Sequence, residues 1–238
     1  DRSVSRGLGD VYKRQILVST LLSFSTLFGE FVVANLLIGG TTPDINLYHR
    51  IRERCDILIN VLIRPRFGDF CYDRYELAQM AECAAELIAA GADGIVTGVL
   101  TPAGALDTDA LRPIYAAARQ AAEKAHRTVD CTLHRAFDVC CDPFAALEAA
   151  KQLGLATILT SGQAASAPQG AALLRQLVEA AGQEVEILVG AGVSAANIPA
   201  LAAQTGARAF HLSGKQVLQS RMTFRREGVP MGLPGLDE

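Results

Sequence analysis

The side chains best suited to chemistry follow a short apolar run at residues 57–63. This run is β-branched and almost continuously apolar, which predicts a parallel strand buried on both faces. Its end is marked by two arginines, an aspartate and a cysteine: Arg64, Arg66, Asp69 and Cys71. Pro65 lacks an N–H group and restricts the residue before it, so both arginines are expected on an extended loop. Paired guanidinium groups suit a phosphate or a carboxylate, although a solvated ion pair without function is the alternative.

A histidine and an aspartate follow a second strand-like run, at residues 128–133. His134 and Asp138 are the predicted catalytic pair, because an imidazole and a carboxylate can exchange protons with a substrate as general acid and base. Arg135 lies between them and adds a third guanidinium group. The alternative is structural: His134 is a satisfied strand-end residue, and Asp138 only neutralises Arg135.

Strand-like runs alternate with alanine- and leucine-rich helical runs from residue 31 onward, a pattern typical of parallel sheets. We predict an α/β fold, a TIM-type (β/α)8 barrel that lacks or replaces its first βα unit, since closing the sheet removes its unprotected edges. A doubly wound open sheet is the alternative, but no Gly-x-Gly-x-x-Gly motif follows the first strand. The predicted strands lie at residues 31–37, 57–63, 94–98, 128–133, 157–159, 186–189 and 209–212. Helix starts are predicted at Asp73, Asp142 and Ser194, and helix ends at Gly91, Gly154, Gly182 and Gly206.

The loops that follow the strands of such a barrel converge on one face, whatever their separation in sequence. The loops after the last two strands commonly hold phosphate in these barrels, and a histidine there adds a second group that titrates near neutral pH. Serine hydroxyls and glycine N–H groups at the later strand ends would complete a receptor for an anion. The predicted substrate or anion-binding residues are Arg64, Arg66, Asp69, Arg135, Ser161, Gly192, His211, Ser213 and Lys215.

Cysteines and histidines near the strand ends allow a second kind of site. Thiolate and imidazole groups bind soft ions such as Cu(I) and Zn²⁺. The sequence contains no Cys-x-x-Cys motif, so spacing alone defines no metal centre. Cys71 is the candidate metal ligand. The other side chains that a metal could use are Cys131, Cys140, Cys141, His134 and His211.

Length, charge and cysteine content limit the class of protein. A chain of 238 residues, half of them hydrophobic, suits one large domain. The formal net charge of -3 argues against a nucleic-acid binder and favours a metal ion or a small anionic molecule as partner. Six cysteines without regular spacing indicate reduced thiols in the cytosol. The apolar stretch at residues 16–28 leaves secretion as an alternative, but it is too short to span a membrane.

The ordered series of motifs across residues 34–232 resembles the CutC copper homeostasis protein family. The motifs are ANLLIGGTTP at 34–43, IRPR at 63–66, GDFCY at 68–72, GIVTGVL at 94–100, HRAFD at 134–138, ILTSG at 158–162, GAGV at 190–193, HLSGK at 211–215 and MTFR at 222–225. The resemblance implies a TIM barrel, a cytoplasmic location, self-association into a homo-oligomer, and the binding or handling of copper. The family opens with a complete βα unit and a Glu-Leu-Cys sequence, where this chain reads Phe31-Val32-Val33.

We therefore predict a non-family segment at residues 1–30 and a single barrel domain at residues 31–238. Two functions stay open at this point. The resemblance implies a copper-binding homeostasis protein. The strand-end residues themselves suggest an enzyme of unknown reaction that acts on a small anionic substrate carrying a phosphate or a carboxylate.

Overall fold

The fold is that of a computed structural model, which describes residues 33–36, 42, 44–214 and 223–224. The predictions for residues 1–30 and for Lys215 lie outside this part of the chain. The strands and helices given below fall within one compact unit, Leu21–Ser213. The domain boundaries at residues 30 and 31 stay predictions.

Seven parallel strands form one sheet in the described part of the chain, and they follow one another in the sheet as they do in the sequence. They are β1 Val33–Leu36, β2 Leu58–Leu62, β3 Gly94–Thr97, β4 Asp130–Leu133, β5 Thr157–Thr160, β6 Glu186–Val189 and β7 Ala209–Phe210. Each lies at a predicted strand position. A sequential order is that of a (β/α) barrel, whereas the strand order of a doubly wound sheet reverses at a switch point. The predicted barrel fold is therefore confirmed.

Helices occupy the connections between consecutive strands. They are α1 Ile45–Arg52, α2 Arg74–Ala89, α3 Thr108–Lys124, a 3-10 helix at Arg135–Val139, α4 Pro143–Gln152, α5 Ala171–Ala181 and α6 Ile198–Thr205. Among the described residues, none of these helices combines the length and the apolar character needed to cross a bilayer.

Two of the three predicted helix starts are confirmed. The Asp73 carboxylate accepts hydrogen bonds from the backbone N–H groups of Tyr75 and Glu76, and the Glu76 side chain accepts one from the Asp73 N–H, which completes a capping box. The Asp142 carboxylate accepts hydrogen bonds from the N–H groups of Phe144 and Ala145 at the start of α4, with a proline directly after Asp142. These caps fix the points at which the loops after β2 and β4 end.

The predicted helix start at Ser194 is wrong, because α6 begins at Ile198. A helix that began directly after Ser194 would need Pro199 to donate a hydrogen bond to the carbonyl of Ala195, and proline has no N–H group. Ser194 instead forms a turn, in which its N–H donates to Asn197 Oδ1 at 2.9 Å. The four glycines predicted at helix ends are all found just past a helix, with φ between 61° and 112°.

The sheet register decides which strand-end residues face the barrel interior. Cys131 of β4 lies next to α3 and therefore faces outward. Side chains alternate along a strand, so Thr132 faces the interior, and so does His134 just beyond the end of β4. The parallel register carries this interior face to Gly98 after β3 and to Arg64 after β2. His134 and Arg64 therefore lie on either side of Gly98 and close one end of the barrel interior.

Candidate functional site

The predicted site residues lie at the carboxyl-terminal ends of the strands, because all described strands are parallel. Arg64, Arg66, Asp69 and Cys71 follow β2; His134, Arg135 and Asp138 follow β4; Ser161 follows β5; Gly192 follows β6; His211 and Ser213 follow β7. Their roles stay predictions, and their surroundings differ sharply from one residue to the next.

His134 is buried, with only 6% of its surface exposed. Its Nδ1 accepts a hydrogen bond from the Ala136 N–H at 3.1 Å, which caps the 3-10 helix. Burial, assisted by the nearby Arg64 charge, lowers the pKa of His134 to about 3. The ring is therefore neutral near pH 7, and since Nδ1 accepts, its single proton lies on Nε2. That Nε2 atom is buried without a hydrogen-bond partner among the described residues.

Arg64 packs beside His134 against the same aromatic ring. Its Cζ lies 4.7 Å from the centre of the Phe70 ring, and the His134 and Phe70 ring centres are 4.8 Å apart. Its Nη2 donates to the carbonyl of Gly68 at 2.8 Å. Its Nε is buried and, in the described part of the chain, has no hydrogen-bond partner. A buried donor left without a partner costs about 1–3 kcal/mol, so two such donors on side chains that pack against the same ring are an unusual feature of a folded interior.

Gly98 leaves the space that the His134 ring fills. A Cβ atom added at Gly98 would lie 2.6 Å from His134 Nδ1 and 2.9 Å from Leu133 Cδ1. Even alanine at this position would therefore displace the imidazole. Gly98 follows β3, between the strands that carry Arg64 and His134, so its missing side chain lets these two groups reach the same end of the interior.

Asp138 joins the loops after β4 and β5. Its carboxylate accepts hydrogen bonds from Arg135 Nε at 2.6 Å, from Thr160 Oγ1 at 2.5 Å and from the Ser161 N–H at 2.9 Å. Only 6% of the Asp138 side chain is exposed, against 45% for Arg135. Arg135 Nη2 also donates to Ser161 Oγ at 3.1 Å. The ion pair that the structural alternative expected is therefore present, and Asp138 orders two strand ends.

Arg66 organises the loop that follows β2. Its Nε donates to Glu76 Oε1 at 2.5 Å, and its Nη2 donates to Asp69 Oδ1 at 3.0 Å and to the carbonyl of Cys71 at 2.9 Å. These bonds raise the pKa of Arg66, and the same contact with Arg66 lowers the pKa of Asp69. Arg66 therefore binds both Asp69 and the start of α2, and Arg64 is left as the arginine of this loop that faces the interior.

The cysteines are dispersed over the barrel. Cys71 and Cys141 are exposed, and Cys140 and Cys131 are buried. Burial is the main cause that raises the pKa of both buried thiols to about 11. Throughout the described residues, no group of three or more His, Cys, Asp or Glu side chains is placed to hold a metal ion.

The residues after β6 and β7 complete the strand-end face. His211 is partly buried, and burial together with the Arg135 charge lowers its pKa. The carbonyl of Gly192, a residue with φ of 68°, accepts a hydrogen bond from Asn197 Nδ2 at 2.8 Å. Ser213 is exposed. Since the Arg135 charge reaches His211, the loops after β4 and β7 share one electrostatic environment.

Phe70 and Gly98 shape this site, although the residue pattern predicted no role for either of them. Phe70 lies between Asp69 and Cys71, in a loop with two arginines, where an aromatic ring is a signal for cation–π packing. A glycine directly after a buried strand is a signal that another group approaches the backbone closely. Both signals were available, but neither says which side chain comes close.

The strand order defines a (β/α)-barrel protein, and the charged groups at the strand ends place its candidate site at the carboxyl-terminal face. The model of the CutC family matches residues 31–216, and the chain belongs to this family. A CutC family protein of Chromobacterium violaceum is 43% identical over 204 residues, which are 86% of this chain and 79% of that protein. One of Vibrio vulnificus is 41% identical over 206 residues, which are 86% of this chain and 80% of that protein.

Solved structures agree with this assignment. The CutC protein of Streptococcus agalactiae, provisionally described as a copper homeostasis protein, superposes with a TM-score of 0.67 at 29% identity, over 75% of this chain and 87% of that chain. A Burkholderia cenocepacia protein provisionally described as a lyase or mutase gives a TM-score of 0.50 at 19% identity, over 72% of this chain and 62% of that chain, which shows a shared fold alone. The resemblance to the CutC family is confirmed.

Proposed function

We propose that this protein takes part in copper homeostasis. The observation that supports the proposal is the CutC family match over residues 31–216, which includes all seven strands and their ends. The S. agalactiae relative, whose description names copper homeostasis, shares this barrel. Copper is then the ion that the protein handles, and the contact of particular residues with copper needs a test of its own.

The described residues do not fit a preformed copper centre. Cu(I) prefers thiolates, and a thiol with a pKa of about 11 stays protonated at neutral pH, so Cys131 and Cys140 are poor ligands. The exposed thiols are Cys71 and Cys141, and neither belongs to a cluster of ligands in the described part of the chain. Copper contact is therefore proposed at Cys71, the exposed thiol in the loop after β2, as capture at the surface.

The cellular and the chemical parts of this proposal need separate tests. In a host strain without its own CutC protein, the chain is expected to restore growth at raised copper concentrations. Failure to restore growth while the protein accumulates in soluble form would contradict the role in copper homeostasis.

Competition with a chromophoric Cu(I) chelator under anaerobic, reducing conditions tests the contact itself. The wild-type chain is expected to withdraw Cu(I) from the chelator. Cys71→Ser is expected to lose this capacity, whereas Cys141→Ser, a second exposed cysteine, serves as the matched control and keeps it. Equal withdrawal of Cu(I) by both variants would rule out Cys71 as the copper ligand. It would not change the result of the growth test.

We also propose that the protein is cytoplasmic and self-associating. All six cysteines are unpaired, as expected in a reducing compartment. Three large apolar side chains are strongly exposed: Phe67 in the loop after β2 at 57%, Val139 at the end of the 3-10 helix at 62%, and Phe144 at the start of α4 at 42%. Contact with a second copy of the chain would cover them. Cell fractionation tests the location, and recovery in a membrane or secreted fraction would contradict it.

A further inference from the structure

Two buried N–H groups at the end of the barrel interior have no hydrogen-bond partner among the described residues: His134 Nε2 and Arg64 Nε. Buried polar groups in folded proteins are nearly always paired with protein, with water or with a ligand. His134 cannot turn its other nitrogen to this purpose, because Nδ1 already accepts from the Ala136 N–H. The free hydrogen on the ring is therefore a fixed donor.

The side chains that carry these two donors pack against one aromatic ring. They follow β2 and β4, the two neighbours of β3, and both side chains lie within 5 Å of the centre of the Phe70 ring. Gly98 lies between them after β3 and contributes no side chain there. A group bound between the two side chains would therefore meet two N–H donors beside an aromatic ring.

The charge that Arg64 brings to this place is positive. Arg66 and Arg135 are each paired with carboxylates, Arg66 with Asp69 and Glu76, and Arg135 with Asp138. Arg64 forms no ion pair with any described residue, although its guanidinium group is partly buried. A cation with a free donor, next to a neutral imidazole that also donates, complements an oxygen atom that carries negative charge.

We propose that the barrel mouth binds a small molecule through an oxyanion group, a phosphate or a carboxylate, whose oxygens accept hydrogen bonds from His134 Nε2 and Arg64 Nε. This site uses other side chains than the copper contact at Cys71, so it stands whether or not the protein binds copper. Its residues bind and orient the anion. If the bound molecule is a substrate, the reaction would take place at a part of that molecule other than the oxyanion group.

Nuclear magnetic resonance on the wild-type chain tests the contact without any substitution. The chain labelled with ¹⁵N is titrated with inorganic phosphate, glycerol phosphate, acetate and malonate, with sodium chloride at matched ionic strength as the control. The side-chain N–H resonances of His134 Nε2 and Arg64 Nε are expected to shift in a saturable way with at least one of these anions. Saturation by the phosphates alone identifies a phosphate site, and saturation by the carboxylates alone a carboxylate site. No saturable shift with any of the anions would overturn the proposal, because water would then be the partner of both donors.

Two variants test which residues hold the anion. His134→Asn keeps an acceptor oxygen for the Ala136 N–H but removes the Nε2 donor, and Arg64→Lys keeps the charge but removes the Nε donor. Each is expected to weaken binding by about tenfold or more, the usual consequence of losing a hydrogen bond to a charged group. Arg175→Lys, at an exposed arginine on α5, is the matched control and is expected to bind as the wild type does. Unchanged affinity in both site variants would overturn the proposal, and a variant that does not fold leaves the resonance titration to decide.

Discussion

The burial of His134 makes a quantitative prediction about stability and pH. Its pKa is about 3 in the folded chain and about 6.5 when the imidazole is in water. When the pH falls below about 6.5, the unfolded chain takes up a proton at this residue and the folded chain does not. The unfolded state then binds more protons, so the free energy of unfolding decreases as the pH falls, and it continues to decrease until the pH reaches the folded pKa.

Between pH 7 and pH 5 this single group should remove about 2 kcal/mol of stability, from the linkage between proton binding and unfolding. The variant His134→Asn isolates the effect. Its side-chain oxygen can still accept the Ala136 N–H, as asparagine does at helix starts, but it has no group that titrates in this range. Other groups whose folded pKa values differ, including His211, are present in both proteins and cancel in the comparison.

Urea unfolding at pH 7 and pH 5, for the wild type and for His134→Asn, measures the difference directly. The wild type is expected to lose about 2 kcal/mol more than the variant over this interval. An equal loss in the two proteins would refute the reasoning, because it would mean that the folded chain protonates His134 as readily as the unfolded chain does. Burial and the Arg64 charge would then fail to oppose protonation of the imidazole.

Two further predictions concern packing and assembly. Gly98→Ala places a Cβ atom 2.6 Å from His134 Nδ1 and should lower the free energy of unfolding by about 1–3 kcal/mol in urea titration, whereas a stability within error of the wild type would mean that the ring can move aside freely. Sedimentation velocity should show that the wild type is an oligomer and that Val139→Glu, in an exposed apolar group, shifts it toward the monomer; a monomeric wild type would contradict self-association.

The local elements of this barrel could be read from the sequence because they depend on short-range chemistry. Short β-branched runs predict strands whatever the position of those strands in the fold. Glycines that follow apolar helical runs predict helix ends, because glycine adopts the positive φ angles found there. The capping box at Asp73 is equally local, since the carboxylate and the N–H groups that it satisfies lie within four residues. The error at Ser194 has a local cause too, because Pro199, five residues later, prevents a helix from starting there.

The face of the barrel that carries the candidate site could also be predicted from the sequence, because parallel strands connected by helices bring all strand ends together. The hydrogen-bond partner of each side chain could not be predicted. Arg64 and Arg66 are two positions apart on one loop, yet Arg66 is bound by Asp69 and Glu76 while Arg64 enters the barrel interior. Residue types and spacing predict the same role for both arginines. Their different partners result from the direction in which the loop turns.

The sequence by itself determined the family, the barrel, and the end of the barrel at which polar groups gather, since these depend on local patterns and on one topological rule. The tertiary structure decided the chemical state of those groups. His134 is a neutral hydrogen-bond donor because Gly98 gives it space, Phe70 covers its ring and the Arg64 charge opposes its protonation. Gly98 follows β3, whereas Phe70 and Arg64 belong to the loop after β2 and His134 follows β4. Burial and electrostatic interaction depend on distances through space that residue order does not contain.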